Sequence, residues 1–360
     1  MAEGIHIRIK DIAEKAGCSI GTVDRVIHKR GRVAEDVKKR ILQIMEELHY
    51  KPNVNARVLA SKRPLTLGIL LPAFRKGEYW ELPILGIQEA LRRYEEQGYR
   101  VITKQASYTS PEDFYTSGMK MISAEIDGII MNPATYKECV RLVRSYFQNN
   151  IPFILIDSDI RGAPSLSFIG KDPVQSGLTG GKLIHQITRN IPHLKNIWII
   201  NLSKKQYQMY SLLARESGFM KYFSGKNLQG DYAIRTYDLE DEGVQKSLDR
   251  QMEALFQKDI PEAIYVTGSR VHKIASSLKR LKLDPRPLLI GHDLIEANSR
   301  MVRDESIDFL IEEEARKQGY MAVESMIRSV VHKETIEKKQ LMNLMIYTRE
   351  NLPLDPPDQG

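Results

Sequence analysis

The chain is poor in cysteine. Only Cys18 and Cys139 occur in 360 residues, too few for a disulfide framework or a thiolate zinc site. Long apolar runs are missing too, since no stretch reaches the roughly 18 residues that would span a membrane. The first ten residues lack the apolar core and small-residue cleavage site of a secretory signal. These absences predict a reducing, cytoplasmic setting with no membrane partner. With 42% apolar and 28% charged residues, wholesale disorder is excluded as well.

The charge that is present is concentrated at one end. The formal surplus is +7, from 53 lysines and arginines against 46 acids. Residues 1–63 hold 14 of those cations and 8 of those acids, a surplus of six, and the rest of the chain adds one. A basic head on a nearly neutral body points to a polyanion partner at that end alone.

The head reads as helical. Ile9, Ile12, Ala13 and Ala16 share one helical face, interrupted by Gly17. Ser19 is placed to cap a second helix with Val23, Val26 and Ile27 inward, and Gly31 ends it. A third helix from about Ala34 carries Val37, Ile41, Ile44, Met45 and Leu48 on one side. A small all-α domain over 1–50 follows. Residues 51–64 then form a linker, within which 53–60 are compatible with a helix. Eight residues are too few for a stable isolated helix, so this one would form only against something else.

From residue 65 to about 350 the pattern changes. Short β-rich runs recur at 65–71, 99–103, 128–131, 153–156, 196–200, 263–266 and 288–291, separated by helical stretches such as 83–97 and 136–149. Apolar strands alternating with helices predict parallel sheets flanked by helices. Seven runs in this length favour an α/β domain of two lobes over one large sheet. Residues 351–360, rich in Pro and Asp, read as a frayed tail.

Asp11-Ile-Ala-Glu-Lys-Ala-Gly-Cys-Ser-Ile-Gly-Thr-Val-Asp-Arg-Val26 has the form of a helix-turn-helix, in which the second helix enters the DNA major groove. Its outward positions are Ile20, Gly21, Asp24, Arg25 and His28. Arg25 suits a guanine edge, and Ser19 and Thr22 suit phosphates. This string, with Val33–Ile41 and Tyr50-Lys-Pro-Asn-Val-Asn-Ala-Arg-Val-Leu59, resembles the amino-terminal domain of the LacI/GalR family of bacterial transcription regulators. The resemblance covers residues 7–63. It implies that Ile20, Gly21 and Arg25 read bases. It also implies a hinge helix with Leu59 as a minor-groove wedge, Ala56 packed beside it, and Asn53 and Arg57 near the backbone. Asp24 departs from the family's usual Ser, and a carboxylate there must accept from a cytosine or pair with Arg25 or Arg30.

A more scattered resemblance to the same family covers 65–348 and implies a two-lobed fold like that of periplasmic sugar-binding proteins. By that resemblance Tyr79 and Trp80 flank a sugar ring, although Trp80 is equally suited to a core. Asn132 lies in a second cleft loop. Asp172 opens a helix, where capping serves as well as ligand contact. Arg215 and Asp293 match the family's ligand-gripping Arg and Asp, a pair able to fix adjacent hydroxyls through charge-assisted bonds. Thr267 and Glu313 stand where Asn and Gln are usual, which sets the effector apart from common hexoses and pentoses.

The family resemblance implies a homodimer on a near-palindromic operator, controlled by a sugar-like effector acting as inducer or corepressor. No cofactor and no metal are expected. Enzymatic readings lack support: Gly177-Leu-Thr-Gly-Gly-Lys182 has the wrong spacing for a phosphate loop, and no protease, hydrolase or dinucleotide motif occurs. The body alone would also suit a solute-binding protein, but the helix-turn-helix head counts against that.

Overall fold

The computed structural model describes residues 9–27, 31–48, 64–133, 136–160, 162–203, 210–228 and 230–353. The chain divides into two compact units, 1–62 and 63–360. Sequence-derived positions His28, Asn53, Ala56, Arg57 and Leu59, and the tail from 354 onward, lie outside the described residues.

In the first unit, helices α1 (Ile9–Ala16), α2 (Ile20–Ile27) and α3 (Glu35–Glu47) enclose a core of Ile12, Ala13, Ala16, Val23, Val26, Ile41 and Ile44. The helical spacing of these residues turns them to a shared face. Gly17 sits at φ 61° in the turn between α1 and α2, a backbone conformation in which a side chain would be strained. The Ser19 hydroxyl accepts from the Thr22 backbone N–H at 3.1 Å and so caps α2.

The second unit contains two six-stranded sheets. The first has the order β11-β5-β4-β3-β1-β2, from β1 (Leu65–Pro72), β2 (Val101–Tyr108), β3 (Gly128–Met131), β4 (Phe153–Asp157), β5 (Ser167–Gly170) and β11 (Lys339–Leu341). The second has the order β12-β10-β9-β8-β6-β7. Its strands are β6 (Lys195–Ser203), β7 (Tyr232–Glu240), β8 (Ala263–Val266), β9 (Leu288–His292), β10 (Phe309–Glu312) and β12 (Met345–Tyr347). Each ladder is parallel except β10 with β12. The central strands are buried along their length, as sheets covered by helices on both faces require.

The chain passes between the sheets three times, at 171–172, 313–314 and 342–344. The two sheets and their helices are the two lobes that the sequence predicts. Strands β5, β7, β10, β11 and β12 were not among the seven runs. Of these, β7 is an edge strand whose middle residues Arg235, Thr236 and Asp238 face solvent, so it lacks the apolar run that marks a buried strand.

Two helix pairs hold the lobes' frames. Helix α4 (Glu81–Glu96) packs on α12 (Ala315–Val330), and α7 (Pro173–Thr188) packs on α8 (Tyr210–Ser224). A Cβ at Gly177 would collide with the Arg215 carbonyl, and one at Gly218 with the Val174 carbonyl. The segment Gly177–Lys182 is thus interior helix. Its glycine serves close packing, not a phosphate.

Candidate functional site

Ligands in parallel α/β sheets collect outside the carboxyl ends of the strands, and that is where a cavity of about 910 Å³ opens between the lobes. One wall follows β1, where Tyr79 and Trp80 stand edge to face with ring centres 5.1 Å apart. Asn132 follows β3, Asp157 ends β4 and Lys171 follows β5. The opposite wall brings Arg215 from α8 and Asp293 from the end of β9.

Asp157 and Asp293 occupy matching places in the two sheets. Both take the left-handed backbone conformation, at φ 66° and 69°. Such strain in a non-glycine residue is found where the surrounding structure enforces it, often at functional sites. Here it turns a carboxylate at each strand end toward the cavity.

A buried network of charges forms the floor. Tyr79 Oη donates to Asp157 Oδ1 at 2.7 Å. Lys171 Nζ lies 2.9 Å from Asp157 Oδ1 and 2.8 Å from Glu313 Oε2. Arg215 Nη2 donates to the same Glu313 oxygen at 2.6 Å, and Nη1 to the Thr267 carbonyl at 2.5 Å. Ser176 Oγ donates to the other Glu313 oxygen. Lys171 and Glu313 sit on two of the three crossings between the sheets, so this pair ties one crossing to another. Glu314 adds a second tie, because its carboxylate accepts from the Asn343 N–H of the third crossing at 3.0 Å.

Burial alone would raise the Glu313 pKa, but Arg215 and then Lys171 outweigh it and hold the carboxyl far below its ordinary range. Burial and Arg215 work to lower Lys171; Asp157, Glu313 and Asp293 together overcome them, so its pKa ends raised. Burial, then Asp157, pushes the Tyr79 phenol well above its usual value, and it stays a donor. Asp293 is the exception. Burial pushes its pKa up to about 7, and Arg215 offsets only part of that. The nearest guanidinium nitrogen is 4.0 Å away, and Asp293 Oδ1 accepts no hydrogen bond among the described residues. Arg215 Nε also lacks a partner there.

The sequence-derived positions divide into three groups. Tyr79, Trp80, Asn132, Arg215 and Asp293 line the cavity together. Asn132 is largely committed, donating to the Ile156 carbonyl at 3.1 Å and accepting from Tyr108 Oη at 2.9 Å. Thr267 and Glu313 stand behind the wall; Thr267 Oγ1 donates to Asn201 Oδ1 at 2.6 Å. Asp172 is exposed and caps α7, accepting from the Val174 and Gln175 N–H groups at 3.0 and 3.1 Å. Of its two readings, capping is the one the geometry displays.

Sequence reasoning missed Asp157, Lys171 and His272. Asp157 had a usable signal, an acid closing the apolar run Phe153-Ile-Leu-Ile156 at a strand's carboxyl end. For His272 the state follows from its neighbour. Asn298 Nδ2 donates to the carbonyls of Ser269, His292 and Asp293, which leaves its Oδ1 as acceptor. His272 Nδ1, 2.9 Å from that oxygen, therefore carries the proton. Burial lowers the ring's pKa, leaving Nε2 as an acceptor.

On the helical head, Ile20 is 53% exposed, and Ser19, Gly21 and Arg25 are exposed beside it. Thr22 and Asp24 are half-buried. The described helix-turn-helix thus presents Ile20, Gly21 and Arg25 on one open face. Among the described residues no cluster of His, Cys, Asp and Glu could hold a metal ion, and no helix is long and apolar enough to cross a membrane.

Comparison with known proteins agrees with both units. A family model described as a periplasmic binding protein domain matches residues 67–334, so the body is a domain of that class. A second model, for bacterial regulatory proteins of the lacI family, matches residues 8–53. The chain therefore joins a lacI-family DNA-binding domain to a periplasmic-binding-protein domain. It is 27% identical over 175 residues to the HTH-type transcriptional regulator MalR of Streptococcus pneumoniae, covering 48% of this chain and 51% of that protein. The chain thus spans about half the length of the MalR relatives it matches. It is 28% identical over 270 residues to catabolite control protein A of Priestia megaterium, covering 73% and 74% of the two chains. The crystal structure of a putative LacI transcriptional regulator from Bacteroides fragilis superposes with a TM-score of 0.73 at 24% identity, over 80% of this chain and 98% of that one. GanP, a glucose-galactose binding protein from Geobacillus stearothermophilus, superposes at 0.68 and 18% identity, over 81% and 100%. At these identities the structural likeness speaks to the fold.

Proposed function

We propose that this protein is a DNA-binding transcription regulator, a repressor, whose operator affinity is set by a small sugar-like effector held between the lobes. One observation carries the reading. The same chain joins a helix-turn-helix with an open Ile20–Arg25 face to a cavity floored by Arg215 and an unsatisfied Asp293. A buried carboxylate oxygen without a donor is costly by itself, and an effector's donor would satisfy Asp293 Oδ1.

A single head of three short helices makes few base contacts, so specificity comes from two heads on a near-palindromic operator, carried by a homodimer. The domain division follows the roles: residues 1–50 read the half-site, 51–64 form the hinge, and 65–350 bind effector and dimerise. The protein acts in the cytoplasm, on the nucleoid. Effector binding draws the lobes together over the crossings at 171–172, 313–314 and 342–344, which changes operator affinity by linkage.

Two measurements test this. Operator binding by fluorescence anisotropy should weaken at least tenfold in Leu59→Ala, with loss of DNA bending; unchanged affinity and bending would exclude the hinge mechanism. Arg215→Ala should remove the effector-dependent change in operator affinity. Retained response would exclude this cleft as the effector site.

A further inference from the structure

The charges on the cavity floor do not balance. Five ionisable side chains there are almost fully buried: the cations Lys171 and Arg215, and the carboxylates Asp157, Asp293 and Glu313. Two cations face three anions, and a further buried carboxylate, Glu312, is satisfied apart from them by the Leu294 and Ala315 N–H groups. The adjacent His292 adds no positive charge, because burial and Arg215 hold its pKa well below the ordinary value.

The two cations are already committed. Lys171 bridges Asp157 and Glu313, and Arg215 gives its terminal nitrogens to Glu313 and the Thr267 carbonyl. Asp157 also receives Tyr79 and, at 3.0 Å, the Ser158 hydroxyl. Glu313 also receives Ser176. The deficit therefore falls on Asp293, 2% exposed, whose Oδ1 receives no donor among the described residues.

Most of the rim's cations are engaged. Arg270 and Lys273 both lie against Asp241, at 3.4 and 2.6 Å, and Arg300 pairs with Glu296, while Lys76 stands on the rim without an ion pair among the described residues. A ligand carboxylate or phosphate near Asp293 would meet a negative floor. A hydroxyl would supply one donor and no charge. A protonated amine supplies three donors together with a positive charge, and the aromatic side chains of Trp80 and Tyr108 line the same cavity.

We infer that the effector carries a protonated amine seated on Asp293, which makes it an amino sugar or a closely related amino polyol. This rests on the cleft being the effector site. Ring carbons pack against Tyr79 and Trp80, Arg215 Nε donates to a ring hydroxyl, and the amine closes the charge count.

The test uses the full chain and isothermal titration at pH 7.5. The probes are D-glucosamine, D-galactosamine and D-mannosamine, each against its parent hexose, its N-acetyl derivative and the matching uronic acid. At least one free amine should bind ten times more tightly than its parent hexose and its N-acetyl form, and Asp293→Asn should bring that ratio close to one. The wild-type ratio needs no variant and decides the matter even if Asp293→Asn folds poorly. The inference is overturned if a hexose, N-acetyl sugar or uronic acid binds as well as the amine, if no amino sugar binds, or if the preference survives in Asp293→Asn. Arg215→Ala separates this from the underlying reading. A neutral sugar whose binding depends on Arg215 leaves the cleft assignment standing and removes only the amine, whereas a probe that binds wild type and Arg215→Ala equally removes the cleft assignment.

Discussion

Asp293 is held in a strained backbone conformation with a carboxyl group that prefers its proton until about pH 7. In an unfolded chain an aspartate has a pKa of roughly 3.9. The folded state therefore binds more protons between these values, and stability contributed by the protonated form is lost as pH rises through 7. Asp293→Asn mimics that protonated form. Its lead in melting temperature over wild type should be several degrees larger at pH 8 than at pH 4; an equal difference at both would mean the carboxylate is compensated. Glu313 has the opposite character, an anion held between Lys171 and Arg215. Glu313→Gln should lose about 3 kcal/mol in urea unfolding, because two buried cations lose their shared partner. Adding Lys171→Met should recover part of that loss, a coupling visible in a double-mutant cycle.

At the scale of elements, Arg215 reaches the floor because α7 and α8 pack with their backbones nearly touching. Gly177 and Gly218 make that approach possible. Gly177→Ala would force its new methyl group against the Arg215 carbonyl, and the helices must separate. A stability loss of about 2 kcal/mol is expected, along with weaker effector binding as the guanidinium shifts. A variant with wild-type stability and binding would show that the helix contact is looser than described. Gly86 and Gly319 do the same between α4 and α12. The lobes thus repeat one device, a glycine-mediated helix pair beside the strand ends.

At the scale of the whole molecule, the two units bury separate cores and carry different electrostatics. The surplus of six positive charges on residues 1–63 should make operator binding strongly salt-dependent, with affinity falling at least about tenfold between 50 and 200 mM salt. The buried pairs of the cleft are shielded from mobile ions. Effector affinity measured by titration over the same range should move less than about threefold. A steep salt dependence of effector binding would place the recognising charges at the rim.

The helical head was legible in detail because its determinants are local. Ile12, Ala16, Val23 and Ile41 fall at helical spacing, Gly17 and Ser19 mark the turn and cap, and one continuous string carries the motif. Arg215 and Asp293 were legible for the same reason, since each lies in a short recognisable run. Lys171 was not. In sequence it is an ordinary lysine ahead of a helix cap, and it becomes a buried hub only because the fold brings Asp157 and Glu313 to it. The edge strand β7 escaped notice because solvent on one side removes the apolar run that would reveal it.

The amino-acid sequence by itself determined the basic head, the alternation of strands and helices, and the residue types available to the cleft, because periodicity, turns and charge are properties of neighbours along the chain. Only the tertiary structure decided which carboxylates are paired. Glu313 takes both cations and Asp293 is left without one, since pairing depends on distances between side chains that the sequence keeps far apart.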